Sequence, residues 1–213
     1  MPLIQSPFRY ICAGPSQSGK TTHVINLIKF QDQILSKPHK NIIYCTKEKQ
    51  ARIEELKKQG YIKKILFEIP NEKEIKDMVM DYGRILLVLD DFGGRLDKSV
   101  SEICTVLSHH LGLDCIILLQ SVFHKNPVYK DISNNANYFS LFSNPRDKTV
   151  ISHFARQMSP GDSVWIKQIF LDLSRSAYAY LHFDFSQNCP EELRISSHIL
   201  PHEWPRRYYV KDK

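Results

Sequence analysis

Residues 11–28 read ICAGPSQSGKTTHVINLI, and the change of pattern inside that stretch decides the fold. Tyr10, Ile11, Cys12 and Ala13 form a short apolar run that meets Gly14, and Gly19, Lys20 and Thr21 follow. From Lys20 the apolar positions Val24, Leu27, Ile28, Ile34 and Leu35 keep helical spacing until Lys37-Pro38. The stretch therefore predicts a strand, a turn and one amphipathic helix. Gly14 to Thr21 satisfies G-x-x-x-x-G-K-[ST] at every fixed position. Glycines let backbone N–H groups turn inward around an anion, and the helix directs its positive end at the same point. Lys20 reaches the β- and γ-phosphates and the Thr21 hydroxyl binds Mg²⁺. The predicted nucleotide cradle is Gly14, Pro15, Ser16, Gln17, Ser18, Gly19, Lys20, Thr21 and Thr22. Average residue frequencies give the bare pattern about once in a hundred chains of this length, and here the flanking strand and helix accompany it.

Outward from the cradle, apolar runs alternate with helical patterns. NIIYCT (41–46), KKILFEIP (63–70), RILLVLDDF (84–92), CIILLQ (115–120) and NYFSLFS (137–143) read as strands. Between them, 47–60 is a charged helix closed by Gly60, and Asn71 caps a helix whose buried stripe is Ile75, Met78, Val79 and Tyr82. Val100, Ile103, Cys104 and Leu107 form a further stripe. Asn144 is the expected cap of a helix with Pro145 at its first position and Val150, Ile151, Phe154 and Met158 on its inner face. A last helix is expected from about Asp162 to Leu173. AYAYLHFDF (177–185) alternates strictly, which predicts a half-exposed antiparallel strand at the sheet edge. Continuous aliphatic strands separated by helices indicate an α/β domain, a mostly parallel sheet covered on both faces. The expected division is an ATPase-sized domain over 1–185 and a C-terminal arm over 186–213, packed on the domain or on a neighbouring subunit.

Two strand ends carry the chemistry. Asp90 closes a buried strand expected beside the cradle, where it would hold the Mg²⁺ that Thr21 touches. Asp91 follows it and is placed to polarise an attacking water. Gln120 ends CIILLQ as the acids end ILLVLDD, so a parallel sheet brings all three to the edge where ligands bind. A carboxamide there can contact the γ-phosphate or its water.

Composition sets the bounds. The chain has 213 residues, with 29 Lys and Arg against 23 Asp and Glu for a formal charge of +6, a balance that permits a polyanionic partner. The cysteines, at 12, 45, 104, 115 and 189, are odd in number and form no CxxC pair, so they read as reduced thiols of an intracellular protein. No charged-then-apolar leader opens the sequence, and the longest aliphatic runs are of strand length, so no membrane association is expected. Cys104, His109, His110 and Cys115 have side chains that bind zinc, but their spacing serves packing. HEWPRRYYV (202–210) interleaves basic and aromatic residues, and reads as an arm packed on the domain or the next subunit in preference to a nucleic-acid contact. The glycine-containing loop FGGRLDK (92–98) reads equally as a mobile loop or as a contact with DNA or a neighbour.

The ordered set GPSQSGKTT, LLVLDDF, a helix with SHH, IILLQSVF and FSLFSNPRDKTVISHFARQM resembles the viral genome-packaging ATPases of the FtsK–HerA superfamily, in the poxvirus-type and Maverick/Polinton-like branch. Asn144 to Asp147 and Ala155 to Gln157 are the most specific part, and the resemblance covers roughly residues 8 to 160. It implies a RecA-like P-loop core of the ASCE class with ATP and Mg²⁺ as cofactors. It also implies a homo-oligomeric ring, a pentamer or hexamer, that drives double-stranded DNA into a capsid by ATP hydrolysis. In that frame Lys20 and Thr21 are the Walker A pair, Asp90 the metal-side acid, Asp91 the water activator and Gln120 the sensor. Many members of the superfamily carry Glu where this chain has Asp91. Ring ATPases use an arginine from the neighbouring subunit, and the candidates are Arg146, preferred for its closeness to the site edge, and Arg156. Capsid proteins are the implied partners, and the implied location is the host nucleus or a cytoplasmic virus factory, with association to the virion. The alternative is a nucleotide-switched, DNA-associated adaptor or loader of the P-loop class that binds ATP and a protein partner but turns over slowly. A water activator, a sensor and a finger favour the motor.

Overall fold

The computed structural model describes residues 3–92, 96–104, 111–121, 127–158, 161, 163–203 and 206–208. In chain order the elements are β1 (Arg9–Ala13), α1 (Lys20–Lys29), α2 (Gln31–Ile34), β2 (Asn41–Thr46), α3 (Ala51–Lys58), β3 (Lys64–Leu66), α4 (Glu72–Tyr82) and β4 (Ile85–Asp90). They continue with α5 (Lys98–Glu102), β5 (Asp114–Leu119), α6 (Pro127–Asn134), β6 (Tyr138–Phe142), α7 (Val150–Met158), α8 (Ser163–Leu173) and β7 (Tyr180–Asp184). The 3₁₀ turn Glu191–Leu193, β8 (Ile195–Ser197) and β9 (Arg206–Tyr208) close the series.

One 9-stranded sheet runs β3-β2-β4-β5-β1-β6-β7-β8-β9, parallel from β3 to β6 and antiparallel from β7 onward. Strand alternation sends successive side chains to opposite faces. Ile11 and Ala13 join one apolar cluster with Leu87, Ile117, Ile75 of α4 and Phe154 of α7. Tyr10 and Cys12 join the other with Val88, Leu118, Val24 of α1 and Ile53 of α3. Helices therefore cover both faces, and β4 and β5 are buried along their whole length. Each such Leu or Ile removed from water contributes about 1.5–3 kcal/mol. The architecture is the expected one: a mostly parallel α/β sheet with an antiparallel C-terminal side. No described helix is long and apolar enough to cross a membrane.

Several local expectations are corrected. The strand of Asp90 ends beside the cradle as expected, although β5 lies between it and β1. The helix from Lys20 is broken at Phe30, and after α2 the chain runs beside Ile4, whose N donates to Ile34 O (3.0 Å) and whose O accepts from Ser36 N (2.8 Å). The helix expected to be capped at Asn144 starts only at Val150. Asn144 Oδ1 accepts from Arg146 N, and Asp147 Oδ1 accepts from Thr149 N and Oγ1, so two side-chain turns occupy the intervening residues. β7 is antiparallel as expected but buried, because β8 covers its outer edge and aromatic side chains pack on both faces. Asn71 caps α4 in a complete capping box with Glu74. Leu107, His109 and His110 lie outside the described residues, as does part of the 92–98 loop and of 202–210. Cys104 and Cys115 are buried in one apolar cluster.

The edge of the sheet opposite the cradle is tied by one carboxylate. Asp114 is fully buried and accepts from Phe8 N (2.7 Å), Ser6 Oγ (2.6 Å), His39 Nε2 (2.6 Å) and Arg84 Nη1 (3.0 Å). Arg84 thus clamps β4 to β5 and donates further to Lys37 O and Pro38 O. Removing one partner of a buried ionic cluster leaves the others without compensation, at a cost of about 3–5 kcal/mol. Asp114→Ala is accordingly expected to lower stability by that amount in denaturant titration. A loss under about 1 kcal/mol, the ordinary scale of an exposed pair, would show that the cluster does not act as a buried one.

Candidate active site

The cradle is built where β1 runs into α1. Gly14 N donates to Leu119 O (3.1 Å), which ties the start of the loop to the end of β5. A Cβ on Gly14 would stand 2.6 Å from Phe142 Cβ, so β6 leaves room only for glycine. Gly19 precedes α1 with φ +101, the left-handed conformation that glycine tolerates. Gln17 also has positive φ, at 62°. Lys20 Nζ donates to Gly14 O (2.8 Å) and Pro15 O (2.7 Å), which holds the ammonium across the mouth of the loop. Burial lowers the Lys20 pKa, and the charge of Asp90 opposes that shift. The Ser18 hydroxyl is buried inside the loop with no hydrogen-bond partner among the described residues. A glycine-only approach, a lysine ammonium across the loop and an unsatisfied hydroxyl suit a phosphate.

Asp90 stands across from the cradle. Its Oδ2 accepts from Tyr44 Oη at 2.7 Å, from Gln50 Nε2 at 3.3 Å and from Thr21 Oγ1 at 3.4 Å. Burial raises its pKa, while the Tyr44 and Gln50 hydrogen bonds and the Lys20 charge pull it back. A hydroxyl and a carboxylate oxygen at this separation are hard ligands of the kind Mg²⁺ takes together with phosphate oxygens and water. Asp91 is exposed and has φ 62, uncommon for a residue with a side chain. Gln120 Nε2 donates to Asp91 Oδ1 at 2.8 Å. β5, lying between β1 and β4, therefore brings Gln120 to the acid rather than to the cradle directly. Lys20, Thr21, Asp90, Asp91 and Gln120 all gather at one sheet edge.

The first turn of α1 is anchored from below. Tyr10 Oη meets His23 Nε2 (2.9 Å) and Ser140 Oγ (2.6 Å), joining α1, β1 and β6. Burial pushes His23 down to about 3 and its neighbour His182 to about 4, so both imidazoles are neutral at neutral pH. Arg146 and Arg156 are both exposed, Arg146 in the turn after β6 and Arg156 on α7, where its Nε donates to Ser152 O. Neither joins the gathered residues within one chain.

Sequence reasoning missed four neighbours of the site. Tyr44 and Gln50 position Asp90, Arg52 Nη1 donates to Thr22 Oγ1 (3.2 Å), and Tyr178 packs against Gly19. Tyr44 was legible in principle, as the one hydroxyl-bearing ring in the apolar strand beside β4. Gln50 and Arg52 at the start of α3, and Tyr178 before β7, carry no spacing signal.

No family model matches the chain, and no curated protein is significantly similar to it. Solved structures are. B204, the DNA-packaging ATPase from Sulfolobus turreted icosahedral virus, matches over 96% of this chain and 98% of its own, with a TM-score of 0.56 and 12% identity. The genome packaging NTPase B204 from Sulfolobus turreted icosahedral virus 2, in complex with AMPPCP, matches over 94% of this chain and 96% of its own, with a TM-score of 0.50 and 14% identity. The fold is that of the RecA-like P-loop ATPases, and the structures that share it include viral genome-packaging ATPases.

Proposed function

We propose that the protein is an ATPase that moves double-stranded DNA into a viral capsid as a homo-oligomeric ring. The observation that carries this reading is Asp91, held by Gln120 at the end of β4 beside Asp90 and the cradle. A protein that only binds nucleotide has no use for a second acid oriented at the water's side of the site. Lys20 and the inward N–H groups hold the phosphates, and Thr21 with Asp90 holds Mg²⁺, which neutralises charge on the transferred group. Asp91 orients and deprotonates the attacking water, Gln120 fixes that carboxylate, and an arginine from the next subunit completes the site. The same fold in two B204 structures named for genome packaging supports the assignment to DNA and capsid.

A motor that passes over a whole genome holds the duplex by its backbone. With a formal charge of +6, binding is expected to weaken with salt at a log–log slope of about 0.9 per phosphate contacted, independent of base composition. The test is duplex binding and duplex-stimulated ATP hydrolysis across a salt series, on two unrelated sequences, with and without ATP analogue. Strong preference for one sequence, or no effect of DNA under any nucleotide condition, would remove the motor and leave the slow adaptor.

A further inference from the structure

We propose that Tyr178 is the base-stacking residue of the nucleotide site: the nucleoside lies against its ring, in the cavity over the outer face of α1. The proposal rests on the reading above that the cradle holds a nucleotide, and adds where the rest of that ligand goes.

A cavity of about 750 Å³ runs from Gly19–Thr22 along α1 to Asn26, walled by Arg52 on one side and by Tyr178 and His202 on the other. Its size lies within the range of small-molecule sites, and phosphates at the α1 N-terminus fill only one end of it. A sugar and base attached to those phosphates must occupy the remainder. Phe142 and Tyr180 add aromatic rings to its lining. His23 also lines the cavity, and its buried Nδ1 has no hydrogen-bond partner among the described residues.

Tyr178 stands out among these rings because it is 70% exposed while its neighbours are buried. It also has φ 59, a left-handed conformation that is costly for a bulky side chain. Tyr178 lies in the turn between α8 and β7, which holds its ring at the surface. Its Cβ lies 3.3 Å from where a side-chain carbon on Gly19 would begin, so the ring is seated on the last glycine of the cradle. An exposed aromatic face fixed beside the phosphate loop, at the border of an aromatic cavity, is what a flat heterocycle stacks on. Stacking uses the π-face that every base has, so Tyr178 contributes affinity for nucleosides without choosing among bases.

The test titrates ATP and inorganic tripolyphosphate, each with Mg²⁺, into the parent protein and into Tyr178→Ala and Tyr178→Phe. Tyr178→Ala is expected to bind ATP roughly tenfold more weakly, to bind tripolyphosphate as the parent does, and to be rescued by Tyr178→Phe. Equal loss for both ligands would mean that Tyr178 only shapes the cradle, and no loss for either would mean that it touches neither; each overturns the proposal. Tyr178→Trp supplies an independent reading, since its emission should respond to ATP but not to tripolyphosphate. A parent protein that binds tripolyphosphate and ATP alike places the base outside the cavity and overturns the stacking role alone. A parent that binds neither overturns the nucleotide reading itself.

Discussion

Asp91→Asn is expected to bind ATP as the parent does while hydrolysing it about 10²–10⁴-fold more slowly, the range that a positioned general base supplies. Asp91 is exposed and touches Gln120 through one oxygen, so replacing that carboxylate disturbs neither the core nor the cradle. Asparagine keeps the shape and an acceptor oxygen for the Gln120 amide, but has no basic group to take a proton from water. Lys20→Ala makes the contrast. Its ammonium spans the loop carbonyls, so its loss should remove binding and turnover together. Equilibrium binding and single-turnover hydrolysis separate the two variants. Parent-rate hydrolysis by Asp91→Asn would show that another group activates the water.

Arg146→Ala is expected to reduce hydrolysis by about 10³–10⁵-fold, the contribution of an arginine finger, and to do so through the neighbouring subunit. Within one chain Arg146 is exposed in the turn after β6, apart from Asp91 and Gln120. Mixing distinguishes a trans role from a local one. Mixing Arg146→Ala with Lys20→Ala should restore some activity, since each supplies what the other lacks. No recovery of activity in that mixture would count against Arg146 and move attention to Arg156.

The fold was legible wherever burial wrote itself into composition. β4 and β5, buried on both faces, appear in the sequence as unbroken aliphatic runs, and Asn71 with Glu74 marks the start of α4 in side chains alone. Strand order was not legible. Nothing in the sequence says that β5 enters between β1 and β4, because lateral order is decided by how crossovers pack, not by any local pattern. β8 and β9 are too short for alternation to register. Asn144 was misplaced because the same side chain that caps a helix can close a turn, and here its carbonyl-type oxygen went to Arg146 N.

The site divides the same way. Lys20, Thr21, Asp90, Asp91 and Gln120 were readable because each sits at a strand end or loop whose position follows from the parallel sheet. Gln50 and Arg52, at the start of α3, and Tyr178, far from them in sequence, take their meaning only from contact.

The two outermost strands of the described sheet bear on how copies of the chain can meet. β3 begins with exposed Lys64, and β9 carries exposed Arg206 and Arg207. An uncovered strand edge is an open template on which a second sheet can grow, and positive charge at such edges discourages it. Since both margins carry the same sign, one copy's left margin repels the next copy's right margin. Head-to-tail growth of the sheet into an endless ribbon is therefore disfavoured, and the proposed ring would be joined by helices and loops, which can slide and tilt in a way that a continuous ladder of backbone hydrogen bonds cannot.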